Sequence, residues 1–280
     1  MSFGPDNRKE RRPRRGLAAL IAGLCLVGAA MADPLPWRQY PGVEYFDYEL
    51  PTDHRTPAEW VFARLMYPSI GWGGAWEYGG TSWTIDYPKG DRHIAALVRR
   101  LSVIDARSVE QPVNLDDGDD VFNWPWLYAV EVGEWQLTDP QAAKLREYLL
   151  RGGFLMVDDF HGSLEWEIFV ESMRRVFPDR PIVDLPDDHP VFHVVFDLAK
   201  KHQIANWQAL HGRGLPYRSD GSVPQWRGIM DDDGHVMVVI AFNNDVGDSW
   251  QWANSPDYPH EDANLGIRLG VNFAVYSMTH

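Results

Sequence analysis

From Phe154 to Val157 four apolar residues run without a polar break, the pattern of a short strand buried on both faces of a parallel sheet. Its neighbours carry helical periods instead. Upstream, Leu145, Tyr148 and Leu149 make the apolar stripe of a helix that Thr138 or Asp139 caps, Pro140 enters and Gly152-Gly153 ends. Downstream, Trp166, Phe169, Val170, Met173, Val176 and Phe177 recur at helical spacing between Ser163 and Pro178. The middle of the chain therefore predicts a helix, a buried strand and a second helix.

The same patterns predict strands at Val61–Tyr67, Leu127–Val130 and Ile182–Leu185. Arg227–Met230 and His235–Phe242 read as a pair around the tight acidic turn Asp231–Gly234. Helices are expected over Asp91–Leu101, with Ile94, Leu97, Val98 and Leu101 on one face, and over Leu265–Met278. Residues 199–226 read as irregular, Asn243–Trp250 as a loop leaving a strand, and Asp116–Asp120 as a solvated acidic loop. Strands alternating with helices imply an α/β fold with a doubly wound, mostly parallel sheet, because right-handed crossovers place successive helices on its two faces. Residues 58–280 form that domain. The Pro-rich, aromatic stretch 33–57 is expected to lie on it as an extended arm whose aromatics need cover.

In open parallel sheets ligands bind beyond the carboxyl ends of the strands. The loops after Tyr67, Val130, Val157 and Phe242 then converge on one edge. They carry Trp72, Trp76, Trp83 and Asp86, then Glu131, then Asp158, Asp159 and His161, then Asn243, Asn244, Asp245 and Asp248. Indole faces beside carboxylates and amides resemble a sugar-binding cleft, and the same oxygens suit Mg²⁺ or Ca²⁺. The expected ligand contacts are Trp72, Trp76, Trp83, Asp86, Asn243, Asn244, Asp245 and Asp248. Any catalysis falls to Asp158, Asp159 and His161, the aspartates as base or ligand and the histidine as general base or ligand. The competing reading of the aspartate pair is that it caps the following helix. No phosphate loop, dinucleotide fingerprint, HExxH or nucleophile elbow is present.

The amino terminus changes the picture of where this chemistry operates. Arg8, Lys9, Arg11, Arg12, Arg14 and Arg15 precede the apolar run Leu17–Ala29 and the small-x-small site Ala30-Met31-Ala32, so residues 1–32 read as a signal peptide. The paired arginines permit the twin-arginine route as well as general secretion. A periplasmic or secreted protein with no membrane span after cleavage is expected. The only cysteine, Cys25, lies in that segment, so the exported chain has no disulfide, zinc thiolate or cysteine nucleophile. The segment also takes away six basic and two acidic residues, leaving 20 basic groups against 38 acidic ones from totals of 26 and 40. Such a surface repels nucleic acid and favours cations or neutral ligands.

At these residues the chain resembles the bacterial DUF4159 family, a domain of unknown function. The resemblance covers roughly residues 62–280 through Trp83-Thr84-Ile85-Asp86-Tyr87-Pro88, Leu149–Phe160, His189–His193, Arg227-Gly228-Ile229 with Asp231–Gly234, Asn243–Asp248 and Val275–His280. It implies a flavodoxin-like architecture similar to the class I glutamine amidotransferases and the trehalose-utilisation (ThuA-like) proteins, in which a Gly-Gly-strand segment also supplies edge residues. Amidotransferases need a cysteine nucleophile, which the exported chain lacks, so glutamine hydrolysis is not expected. Many members are tied to membrane-anchored envelope assemblies, whereas this one reads as a stand-alone exported domain. Two functions remain open. One is a non-catalytic module binding a small molecule, a glycan, a divalent cation or an envelope protein; the other is a metal-assisted hydrolase acting on an envelope saccharide or related substrate.

Overall fold

The computed structural model describes Met1, residues 34–72 and residues 75–280. The expected signal peptide, Met1 aside, lies outside the described residues, as do Gly73 and Gly74 of the loop after the first strand. Seven strands form one sheet: β1 (Ala63–Met66), β2 (Gln111–Asn114), β3 (Trp126–Val130), β4 (Phe154–Asp158), β5 (Val183–Asp184), β6 (Gln225–Met230) and β7 (Val236–Phe242). Their spatial order is β2-β1-β3-β4-β7-β6-β5. The first five in that order are mutually parallel, while β6 runs antiparallel to β7 and β5 antiparallel to β6. Numbered among themselves, the parallel strands follow the 2-1-3-4-5 order of flavodoxin-like doubly wound sheets.

Strand periodicity divides the core in two. Leu127, Ala129, Leu155 and Val157 pack under α2 (Asp139–Leu150) and α3 (Gly162–Val176) on one face. Trp126, Tyr128, Phe154 and Met156 pack on the other under α1 (Lys89–Leu101), α5 (Val246–Gln251) and α6 (His260–Thr279). Register pairs Val130 with Asp158 and Val157 with Ile240, so β3, β4 and β7 end side by side. Thr138 closes a reciprocal capping box with Gln141 at the start of α2. Gly152 turns the chain at φ 94°, and a Cβ on Gly153 would come within 2.3 Å of the Tyr148 ring, which is why two glycines separate α2 from β4.

Three elements escaped the pattern. β2 carries a proline and only one large apolar residue at the edge of the sheet, and α4 (Trp207–Arg213) is a short helix. Every residue of α5 is buried, so it has no polar face from which a helical period could be read. Residues 34–57 carry no regular element and bond to the domain through Leu35 N to Asp120 (2.8 Å), Tyr40 N to Tyr87 Oη (3.0 Å) and Val43 N to Thr84 Oγ1 (3.2 Å). They bring Glu44 to the carboxyl edge of the sheet. Among the described residues no helix is long and apolar enough to cross a membrane.

Candidate functional site

The residue following each of three adjacent parallel strands has left-handed backbone: Glu131 after β3 (φ 48°), Asp159 after β4 (φ 48°) and Asn243 after β7 (φ 60°). Asp86, in the segment between β1 and α1, is a fourth, at φ 63°. Left-handed backbone at a residue other than glycine costs on the order of 1–3 kcal/mol and persists only where its surroundings hold it. Here the ladder continues one step past the strands, with Glu131 N donating to Asp158 O (3.0 Å) and Asp159 N to Asn244 O (3.2 Å). The chain then turns sharply over the edge.

Glu131 and Asp159 thereby reach a small cleft that Asp86, Asp245, Asp248 and Glu44 also line. It encloses about 20 Å³, room for one water-sized group. Its single cationic lining residue is Arg218, from the segment between α4 and β6. Arg218 lies 2.7 Å from Glu131, 3.4 Å from the Asp159 carboxylate and 3.5 Å from Glu165. Asn206 donates to Asp245 at 2.8 Å, and Asp248 accepts from Trp207 N at 2.5 Å and Trp252 Nε1 at 3.0 Å. The Trp207 and Trp252 rings stack 4.3 Å apart.

Crowding acids away from water sets their protonation. Burial, reinforced by the neighbouring carboxylates, pushes Asp86 and Asp245 well above the usual range. Burial pushes Asp248 up to about 7, and Glu131 up to about 8 despite Arg218. Burial would raise Asp159 as well, but the Arg218 charge and a hydrogen bond from His161 outweigh it and hold that carboxylate below its ordinary value. Asp159 is therefore ionised, and its Oδ1 lies 3.1 Å from His161 Nε2. Burial keeps His161 neutral, and an ionised partner only accepts, so Nε2 carries the proton and Nδ1 is a buried lone pair without a partner.

The residues expected at this edge divide. Asp86, Asp159, Asp245 and Asp248 meet at the cleft. Asp158 does not: strand alternation gives it the face of Met156, where it accepts from Tyr128 Oη (3.1 Å) and Gly247 N (2.7 Å) beneath α5. Burial and the Asp159 charge raise it to about 8. His161 is buried behind Asp159 and does not line the cleft. Asn243 and Asn244 are structural ties rather than cleft contacts. Asn243 binds Gly162 N (2.9 Å) and Val223 O (2.7 Å), and Asn244 accepts from Ile204 N (3.0 Å).

The expected tryptophan platform also needs correcting. Trp83 is fully buried, donates Nε1 to Trp76 O at 2.8 Å and packs edge-on against Tyr40 and Tyr87; Trp76 is buried beside it. The aromatic arm covers what looked like exposed loop residues. Trp72 is open to solvent but bonds Glu134 at 2.9 Å, away from the cleft.

A family model described as "Domain of unknown function (DUF4159)" matches residues 73–278. The chain belongs to the DUF4159 family. No curated protein matches it. The matched span takes in Asp86, Glu131, Asp159, Asn206, Arg218, Asp245 and Asp248, so the family domain supplies every cleft carboxylate except Glu44.

Arg218, Asn206 and Trp207 were not legible as site residues because they sit in the stretch that reads as irregular. Glu44 arrives from the arm. Glu131 was marked only by its place after a strand. Among the described residues, the three carboxylate or imidazole ligands with atoms within 4.8 Å of one another are Asp231, Asp233 and His235. They form the hairpin turn at the opposite edge of the sheet, where Asp231 already accepts from Asp233 N (2.9 Å) and His235 N (2.7 Å).

Proposed function

We propose that this DUF4159 member is an exported, non-catalytic binding module of the cell envelope whose ligand enters the acidic cleft at the carboxyl edge of the sheet. The observation that carries the reading is the division of the edge. Four expected aspartates line one cleft, whereas Asp158 and His161 are shut away from it. A glycosidase needs two carboxyl groups flanking a cleft that admits a sugar ring. This cleft admits a single small group among its acids. The sequence features of export and the absence of a cysteine outside the leader support the same reading.

A hydrolase is the second reading, and one observation favours it: Asp159 fixes the His161 tautomer and leaves Nδ1 free to take a proton. Thermal unfolding of the purified protein against sugars, amines, Ca²⁺ and Mg²⁺, comparing wild type with Asp159→Asn and Asp245→Asn, tests the two. A melting shift that both substitutions remove is expected for the binding module, because a ligand at a hundred times its Kd stabilises by about 2.7 kcal/mol. Turnover of glycoside or ester substrates that His161→Ala abolishes would replace it with the hydrolase.

A further inference from the structure

Resting on the cleft reading, we propose that residues 215–220 are a lid over the carboxyl ends of β3 and β4, pivoting at Gly214 and Gly221, which swings away to admit the ligand. Closed, the cleft encloses about 20 Å³, so anything larger than one water-sized group enters only if a wall moves. Glu131, Asp159, Asp245 and Asp248 are walls held by the sheet and α5, whereas Arg218 belongs to a run, residues 211–220, in which no residue is buried. A segment without an apolar anchor opens before the core does.

Polar contacts latch it. Arg218 reaches Glu131 (2.7 Å) and Asp159 O (3.0 Å), Asp220 Oδ1 accepts from Ser163 N (2.8 Å), and Pro216 O accepts from Asn206 N (2.9 Å). Its ends are set for a swing: Gly214 has left-handed backbone (φ 66°) with open space around it, while Gly221 O and Val223 O are tied at 2.7 Å to Gln203 and Asn243. Ser219, at φ 50°, carries backbone strain that opening relieves. Beneath the lid is His161. A Cβ on Gly221 would stand 3.1 Å from His161 Cβ, and one on Gly162 would meet Ser219 Cβ at 3.0 Å and Asp220 Oδ1 at 2.1 Å, so the lid rests on the chain just past β4. Opening bares Glu131, Asp159 and the unpartnered Nδ1 of His161 together, and the ligand then meets an imidazole as well as carboxylates.

Opening is read on the whole protein without a ligand. Diethyl pyrocarbonate attacks an unprotonated imidazole nitrogen, and the modified histidines are mapped by mass spectrometry. His202 and His235, each 46% exposed, give the rate of an open histidine. His161 should react more slowly than these, at a rate that low urea barely changes, because a local opening exposes little surface and global unfolding exposes much. Hydrogen exchange at Ser163 N and Asn206 N, the two amides that the lid accepts from, should likewise outpace exchange in β4 and β7. Asp220→Ala removes one latch from an exposed side chain and should raise the His161 rate about fivefold, the worth of one capping hydrogen bond. Arg218→Lys keeps the charge, loses the forked contact and should raise it too. Modification of His161 that rises with urea in step with global unfolding overturns the lid, as does a rate that neither variant alters. A ligand-dependent melting shift beside either result leaves the cleft reading standing without the lid, whereas local opening supports the lid even where every ligand fails, which is the failure of the cleft reading alone.

Discussion

Arg218 Nη1 lies 2.7 Å from Glu131 Oε1, joining two residues 87 positions apart across the mouth of the acidic cleft. The same guanidinium donates to the Asp159 carbonyl at 3.0 Å, so one side chain pins the segment before β6 to the ends of β3 and β4. Arg218 is also the counter-charge of the buried, ionised Asp159 carboxylate 3.4 Å away, and removing it leaves that charge uncompensated. Arg218→Met should therefore cost about 3 kcal/mol in urea unfolding. Glu131→Gln in the Arg218→Met background should cost less than in wild type, and additive losses would show that the two do not interact.

Asp158 gives the protein a pH signature. Its pKa is about 8 when folded and near 3.9 in an unfolded chain. A raised carboxyl contributes stability that is complete below the unfolded value and disappears as pH climbs to the folded one, at up to about 1.4 kcal/mol per pH unit. Glu131 and Asp248 act in the same direction. Asp159, held low, acts the opposite way only at acid pH. Asp158→Asn keeps an acceptor for Tyr128 and Gly247 without the ionisation. Its melting temperature should exceed that of wild type at pH 8, with the gap closing toward pH 4.5; parallel curves would contradict the assignment.

Gly247 is required by its neighbours. A Cβ there would meet Asp86 Oδ2 at 2.2 Å and Tyr128 Oη at 2.7 Å, both in a packed interior. Gly247→Ala should destabilise by about 1–3 kcal/mol through overpacking. Gly212, in α4 with open space around it, is the control. Gly212→Ala should stabilise by about 1 kcal/mol through helix propensity. Equal melting shifts for the two would refute the steric account.

The tryptophans separate by burial. Trp83→Ala should cost about 3–5 kcal/mol, as a large aromatic lost from a core does. Trp72→Ala, at the surface, should stay within about 0.5 kcal/mol. Denaturant midpoints measure both, and a mild Trp83 effect would return that ring to the list of ligand contacts.

Local periodicity by itself determined the buried run Phe154–Val157, the two helices around it, the hairpin before Asn243 and the final helix. Parallel strands joined by helices then required the loops after β1, β3, β4 and β7 to leave along one edge, so the acidic character of that edge was readable in residues 131, 159, 245 and 248. Which of those groups face a ligand was not, because that depends on strand register and on distant covering segments. Asp158 and Asp159 are adjacent in sequence, yet the strand face sends one beneath α5 and the left-handed turn sends the other to the cleft. Trp83 is buried by an arm some forty residues upstream in the chain. Arg218, Asn206 and Trp207 come from segments with no period of their own. Hydrophobic period is a property of neighbours along the chain, whereas burial, charge compensation and an unmet hydrogen bond belong to neighbours in space, and only the folded chain brings those together.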